Sequence, residues 1–323
     1  MRRPFRIALL FVVLAPVAAA FMVVEPVRTA PPVAWGAARV EPAELLRHVE
    51  HVVDDAYPRD FLHPDHMAVT ARYLADSWRA MGLPVREQRF AVGGRTFANV
   101  IASLGPPTTE RVVVGAHYDA FEDAGGADDN ASGVAALLEL GRLLKGRPPP
   151  AIGVELVAFA LEEPPIFRSE QMGSEVYARG AAGDGIVVRA MLCLETMGYY
   201  SAEPGSQQRP PGIGLLYPSR GDYLAVVGDL GSIALTRKVK RAMRAGSSLD
   251  VRSINAPRAI AGIDFSDHAV FWAHRVPAVM ITDTAFYRNP HYHTKSDRPA
   301  TLDYEKLALA VYSVAAAVEA LTR

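Results

Sequence analysis

The stretch Val112-Val113-Val114-Gly115-Ala116-His117-Tyr118-Asp119 runs from continuous apolar residues straight into a histidine and an acid. A half-exposed strand would alternate apolar and polar side chains; a run with no alternation reads as a strand covered on both faces. Val157-Ala158-Phe159-Ala160 has the same character and ends at Leu161-Glu162-Glu163. Between these runs, residues 132–144 place Val134, Leu137, Leu138, Gly141 and Leu144 at helical spacing. Strands needing two covers, alternating with helices that supply them, give an α/β fold: a mostly parallel central sheet flanked by helices on both faces.

Outward from this centre, strands are expected at 97–104, 111–116, 152–160, 190–194, 213–217 and 278–282. Helices are expected at 43–55, 65–81, 222–245, 267–274 and 302–321. No internal repeat is visible. Pro148-Pro149-Pro150 and the Gly/Ser/Gln/Pro stretch 203–212 read as surface loops.

The chain of 323 residues divides into an N-terminal segment at 1–24, a Pro-containing tether at 25–40 and one domain over 41–323. Arg2, Arg3 and Arg6 precede an apolar run at 7–24, broken by Pro16 and carrying Ala18, Ala19 and Ala20. That order matches an export signal, and about 18 residues also approaches the length of a membrane-spanning helix. Either reading puts the domain outside the cytoplasm: periplasmic, secreted, or anchored in the inner membrane by this segment alone.

Charge and cysteine content exclude several classes. Lys plus Arg total 34 and Asp plus Glu 35, leaving a net charge of -1, so no basic field exists to hold nucleic acid. The single cysteine, Cys193, excludes an internal disulfide and a thiolate zinc cluster. Gly-x-Ser-x-Gly, Gly-x-Gly-x-x-Gly, the phosphate loop and His-Glu-x-x-His are absent. Any metal must therefore be held by His and carboxylates.

Ligands of open α/β sheets bind beyond the carboxyl ends of the strands, so the residues just past each apolar run are the informative ones. The first run delivers His117 and Asp119, then a loop Gly126-Ala127-Asp128-Asp129-Asn130-Ala131-Ser132-Gly133. The others deliver Glu162 and Glu163, Glu195, and the segment Tyr287 to Thr294 with His291 and His293. Singly, each reads as a solvated strand end, and Asn130 or Ser132 as a helix cap. Together, four strand ends carry metal-ligand chemistry toward one crevice.

These residues resemble the co-catalytic zinc exopeptidases of the M28 type, which include bacterial aminopeptidases and, as relatives, glutaminyl cyclases. The resemblance is carried by His117-Tyr118-Asp119, Gly126 to Gly133, Glu162-Glu163 and Asn289 to His293. It implies two divalent ions, Zn2+ by chemistry, with His117 and Glu195 on one, Glu163 and His293 on the other, and Asp129 bridging. Glu162 becomes the general base and Asp119 the residue that orients His117. Asp129 is preferred to Asp128 because the family's ligand stands four residues before the closing glycine, here Gly133, and a cis peptide bond after Asp129 is implied. Three acidic ligands, two divalent ions and one hydroxide sum to zero charge, so the set can be buried without a net ion. The implied activity is aminopeptidase hydrolysis of a peptide substrate by an activated water. The alternatives are a one-zinc cyclase using Asp129, Glu163 and His293, and a non-catalytic binding module.

The chain departs from the family pattern at three places. Glu195 stands where well-known aminopeptidases have Asp. The segment from Pro164 to Met172 is longer than usual, and with residues 252–264 is expected to shape the substrate pocket. The loop after Asp119 is short, and Glu122 and Asp123 are expected at the mouth. His48, His51, His63 and His66 read as solvated or capping residues. His291 competes with His293 by a two-residue slip, Ser266-Asp267-His268 cannot form a triad from adjacent residues, and Tyr287 and Tyr292 either touch substrate or pack.

Overall fold

The computed structural model describes residues 23–24, 26–28, 30–210 and 216–323. Eight strands form one sheet: β1 (Val85–Val92), β2 (Arg95–Leu104), β3 (Glu110–His117), β4 (Gly153–Phe159), β5 (Val187–Glu195), β6 (Tyr223–Gly228), β7 (Asp250–Asn255) and β8 (Ala278–Thr282). Their order is β1-β2-β4-β3-β5-β8-β6-β7. The central four, β4-β3-β5-β8, are mutually parallel. Antiparallel pairs join this block to β2 on one side and β6 on the other.

Helices α1 (Pro42–Asp54), α2 (Pro64–Ala80), α3 (Gly133–Lys145), α5 (Ile233–Gly246) and α7 (Tyr304–Leu321) cover one face. Helices α4 (Gly173–Gly183) and α6 (His268–Ala273) cover the other. Successive strand residues supply the two cores in turn: Val114 and Ala116, Leu156 and Ala158, Leu192 and Leu194 face the first, while Val113, Val157, Phe159, Met191 and Cys193 face the second. That two-sided burial is the physical reason the runs show no alternation. The β3–β4 crossover carries α3 on one face and the β4–β5 crossover carries α4 on the other, so the connections diverge at β3. Because the chain leaves the carboxyl ends of the neighbouring strands β3 and β4 toward opposite faces, a crevice opens between those ends.

Two expectations need correction. Residues 222–245 are not one helix: Tyr223–Gly228 is β6, buried throughout, and the helix begins at Ile233. The apolar run Leu224-Ala225-Val226-Val227 before Gly228-Asp229 was the strand signal there. The expected strand at 213–217 falls largely outside the described residues, and Leu216 and Tyr217 lie in a turn and bend. β1 and β7 lacked a contiguous apolar run; β1 has exposed Arg86, Glu87 and Arg89 because it is an edge strand. Among the described residues no helix is long and apolar enough to cross a membrane, and residues 1–22 of the proposed leader lie outside them.

Candidate active site

His117 and Glu195 are the last residues of β3 and β5. Glu162 and Glu163 follow β4 by a few residues, Asp129 lies on the turn into α3, and His293 lies in the loop after β8. All converge. His117 Nε2 lies 3.3 Å from Asp129 Oδ1, 3.3 Å from Glu195 Oε2 and 4.0 Å from Glu162 Oε2. His293 Nε2 lies 3.0 Å from Asp129 Oδ2 and 3.3 Å from Glu163 Oε1. Asp129 thus turns one oxygen to each histidine. Donor atoms of His117, Asp129 and Glu195 fall within 4.8 Å of one another, as do those of Asp129, Glu163 and His293 and those of His117, Glu162 and Glu163.

The local chain explains how Asp129 arrives there. Gly126 has φ of 68° and no space for a side chain: a Cβ would meet Arg59 Nη2 at 2.5 Å and Ala120 Cβ at 2.7 Å. The Asp129–Asn130 peptide bond is cis. The Asn130 amide ties this turn to β5, donating to Leu194 O (2.9 Å) and accepting from Thr196 N (3.2 Å). Asp128 faces the other way, accepting from Asn289 Nδ2 (2.7 Å) and Gly198 N (2.9 Å). Asp297 accepts from the backbone N–H of both Asp128 and Asp129.

The electrostatics identify the site as a cation cradle. Asp129 Oδ1, Glu163 Oε1 and His293 Nε2 are buried with no well-formed hydrogen bond, only the close histidine–carboxylate approaches given above. Native interiors rarely leave such groups unpaired. Burial pushes Glu163 up to about 7, helped by the Asp129 charge. Burial likewise drives Glu162 well above the carboxylate range. Burial opposes protonation of His293, but contact with Asp129 and Glu163 overrides it and holds the imidazole at about 10. Imidazole nitrogen and carboxylate oxygen are the donors a divalent ion such as zinc takes when no thiolate is offered, and these residues fit one.

Supporting residues complete the cradle. Asp119 Oδ1 lies 3.3 Å from His117 Nδ1, as the sequence reading expected, and the same carboxylate accepts from Glu162 N and Glu163 N. Ser266 donates to Glu195 Oε2 at 2.6 Å, a contact with no sequence signal beyond its place beside Asp267-His268. Arg59 was not foreseen either: buried, it donates to the carbonyls of Tyr118, Gly125 and Gly126. Its signal was a charged residue beside Pro58 ahead of a helix, too common to single out.

Other expectations resolve individually. His291 bonds Ser296 and takes no part in the cluster. His51 pairs with Asp55, His63 with Asp60, and His66 contacts Pro58 O. His48 is not solvated but buried against Tyr73 and Glu139, because it lies on the inner face of α1. His268 contacts Ile263 O, apart from any Ser/His/Asp relay. Tyr292 stacks on the His293 ring at 3.9 Å, and Tyr287 lines an adjacent apolar cavity. Asp123 pairs with Lys295, and neither it nor Glu122 lines the cavity over Glu162 and Glu163.

An α/β sandwich with paired His/carboxylate sets sharing one Asp at its strand ends belongs to the class of metal-dependent hydrolases. The family profile "Peptidase family M28" matches residues 99–318, and the chain belongs to that family. It is 43% identical over 282 residues to the uncharacterized protein YfbL of Escherichia coli K12, covering 84% of this chain and 86% of YfbL. A probable leucine aminopeptidase of Arthroderma otae is 27% identical over 222 residues, covering 65% of this chain and only 53% of that protein. The chain thus spans about half the length of such fungal relatives. The zinc aminopeptidase BSAP of Bacillus subtilis superposes with TM-score 0.68 at 16% identity, covering 88% and 95% of the two chains. A Bacteroides thetaiotaomicron glutaminyl cyclase superposes with TM-score 0.66 at 20% identity, covering 87% and 98%. At these identities the superpositions establish the shared fold.

Proposed function

We propose that this protein is an aminopeptidase that holds two divalent ions, zinc by donor chemistry, and hydrolyses N-terminal peptide bonds outside the cytoplasm. The observation that carries the reading is Asp129, whose two oxygens face His117 and His293 separately. His117, Asp129 and Glu195 would hold one ion; Asp129, Glu163 and His293 would hold the other. Cations held by these residues would supply two kinds of chemistry there: a lowered pKa for a water and stabilisation of negative charge developing on the scissile carbonyl.

The remaining work falls to the protein. Glu162 is buried beside the cluster with its carboxyl shifted strongly toward the protonated form, and the added positive charge would draw it back toward ionisation. In this reading Glu162 would take the water's proton and pass it to the leaving amine. Asp119 and Ser266 keep His117 and Glu195 in place. A cavity of about 100 Å³ opens past Glu195, walled by Tyr223, Val227, Ile263 and Met280 among others. It suits an apolar side chain on the residue being released.

The cyclase fold match makes metal count the deciding measurement. A one-ion cyclase has no use for a second donor set, yet His117 and Glu195 are both buried and oriented toward Asp129. Metal analysis should return two ions per chain, with turnover of leucine amide and none of N-acetyl-leucine amide. One ion per chain with release of pyroglutamate from N-terminal glutamine would replace this reading with the cyclase.

A further inference from the structure

Immediately beyond Glu163 the chain builds a feature that the metal cluster does not need. Ile166 N and Phe167 N both donate to Glu163 O, so the loop folds back on its own start and Phe167 is held close to the carboxylate pair. The Phe167 ring lines the cavity over Glu162, Glu163 and His293 together with Pro164 and Phe265. Arg168 follows with φ of 60° and lays its guanidinium over both rings, 5.2 Å from the Phe167 centroid and 5.3 Å from that of Phe265. Its charge is taken up by Asp264 at 2.9 Å. Two loops distant in sequence are thereby joined across one side of the cleft, by rings, a guanidinium and an ion pair. Phe265 nevertheless remains 41% exposed, apolar surface that folding has left open at the mouth.

The two flanks of the cleft differ in a way that assigns them. The cavity past Glu195 is not lined by Glu162, Glu163 or His293, although it shares Glu195, Phe265, Phe286 and Tyr292 with the cavity over Glu162, so Phe167 and Pro164 are what distinguish the second flank. The cavity past Glu195 can hold the side chain of the residue to be released. The Pro164–Phe167 flank borders Glu162 itself. Since Glu162 must hand its proton to the departing amine, the departing peptide lies on that side. Its first residue would therefore pass over Phe167.

We propose that Phe167, backed by Arg168 and Phe265, is a specificity-determining residue that selects peptides whose second residue is bulky and apolar, aromatic above all. The inference rests on the aminopeptidase reading and deepens it. A ring or branched side chain placed there covers Phe167 and Phe265 and completes an apolar surface; an alanine leaves that surface wet. An acidic side chain gains nothing, because Asp264 already neutralises Arg168.

The test uses the full metal-loaded chain with Leu-Phe, Leu-Ala, Leu-Asp and leucine amide, the last having no side chain beyond the scissile bond. Leu-Phe should exceed Leu-Ala in kcat/KM by on the order of tenfold, chiefly through KM. Phe167→Ala should erase that preference, lowering kcat/KM for Leu-Phe about tenfold more than for leucine amide. Asp264→Ala should raise Leu-Asp relative to Leu-Ala several-fold, an effect that added salt removes. Calorimetric binding of Leu-Phe and Leu-Ala to the Glu162→Gln variant should show the same ratio without turnover. Equal kcat/KM for Leu-Phe and Leu-Ala in the wild type overturns the inference and spares the peptidase reading, as does a Phe167→Ala loss shared equally by leucine amide. No turnover of any of the four overturns the peptidase reading, and this inference with it.

Discussion

Asp119 holds the backbone of Glu163: its Oδ2 accepts from Glu163 N at 3.0 Å while its Oδ1 accepts from Glu162 N at 3.1 Å and lies 3.3 Å from His117 Nδ1. One buried carboxylate therefore sets both the ring that ends β3 and the acid pair that follows β4. Asn in its place offers a single acceptor oxygen, and its amide N–H would face a backbone donor. Asp119→Asn should weaken metal binding by about 10–100-fold and lower kcat with it. Competition against a chromogenic chelator reads the first effect, steady-state kinetics the second. Unchanged affinity in a folded variant would remove Asp119 from the cluster's support.

Glu162→Gln tests the division of labour between adjacent acids. The amide keeps the shape and cannot accept the water's proton, so kcat should fall by about 10²–10⁴-fold. Metal content should stay at the wild-type value, because no part of the cradle depends on Glu162 alone. Glu163→Gln should do the reverse and lose metal first. Full activity in Glu162→Gln would transfer the base role elsewhere.

These roles were readable to different depths in the sequence. Continuous apolar runs exposed the central strands, since two-sided burial removes alternation, and His117, Glu162, Glu163 and Glu195 were visible at the runs' ends, whereas Asp129 and His293 stand in loops well beyond them. β6 was missed because its apolar residues abut α5 through a short Asp229-to-Ser232 turn, and the combined stretch mimics one helix. For Asp119, the contact with His117 was implied by the family resemblance alone. Its grip on Glu162 and Glu163 came only from the β3–β4 pairing, which no local pattern encodes. Ser266 and Arg59 lie 71 and 67 positions from the chain sites they steady at Glu195 and Gly126, distances that only folding closes.

Metal removal should reverse the pH dependence of stability. In the metal-free protein Glu163 sits at about 7 and His293 at about 10, both above their ordinary values. A raised folded-state pKa contributes stability that is fully present below the unfolded value and is lost as pH rises through the folded one. Chelator-treated protein should therefore lose stability from about pH 5 toward pH 9. Metal binding displaces those protons, so affinity for zinc rises over the same interval. The drop in Tm caused by chelator should thus be larger at pH 8 than at pH 6. A chelator effect that shrinks with pH would show that these groups do not exchange protons for metal.

Arg59 offers a prediction about the loop that links His117 to Asp129. Its guanidinium is buried and its pKa is lowered to about 10, chiefly by burial. It spends its donors on three carbonyls, that of Tyr118 at the start of the short loop and those of Gly125 and Gly126 at its end. A lysine ammonium cannot span that fork. Arg59→Lys should weaken metal binding by about tenfold, with a fall in kcat and little change in KM, since Arg59 lines neither substrate cavity. Arg59→Met leaves the carbonyls buried and unpaired, at about 1–3 kcal/mol each, and should lower Tm as well. Gly126→Ala attacks the same contact from the opposite side, because the new Cβ would press on Arg59 Nη2 at 2.5 Å in a backbone conformation alanine resists. If both residues act through one contact, the double variant should lose less metal affinity than the two single losses combined. Strict additivity in that cycle would mean that Arg59 and Gly126 position the cluster independently.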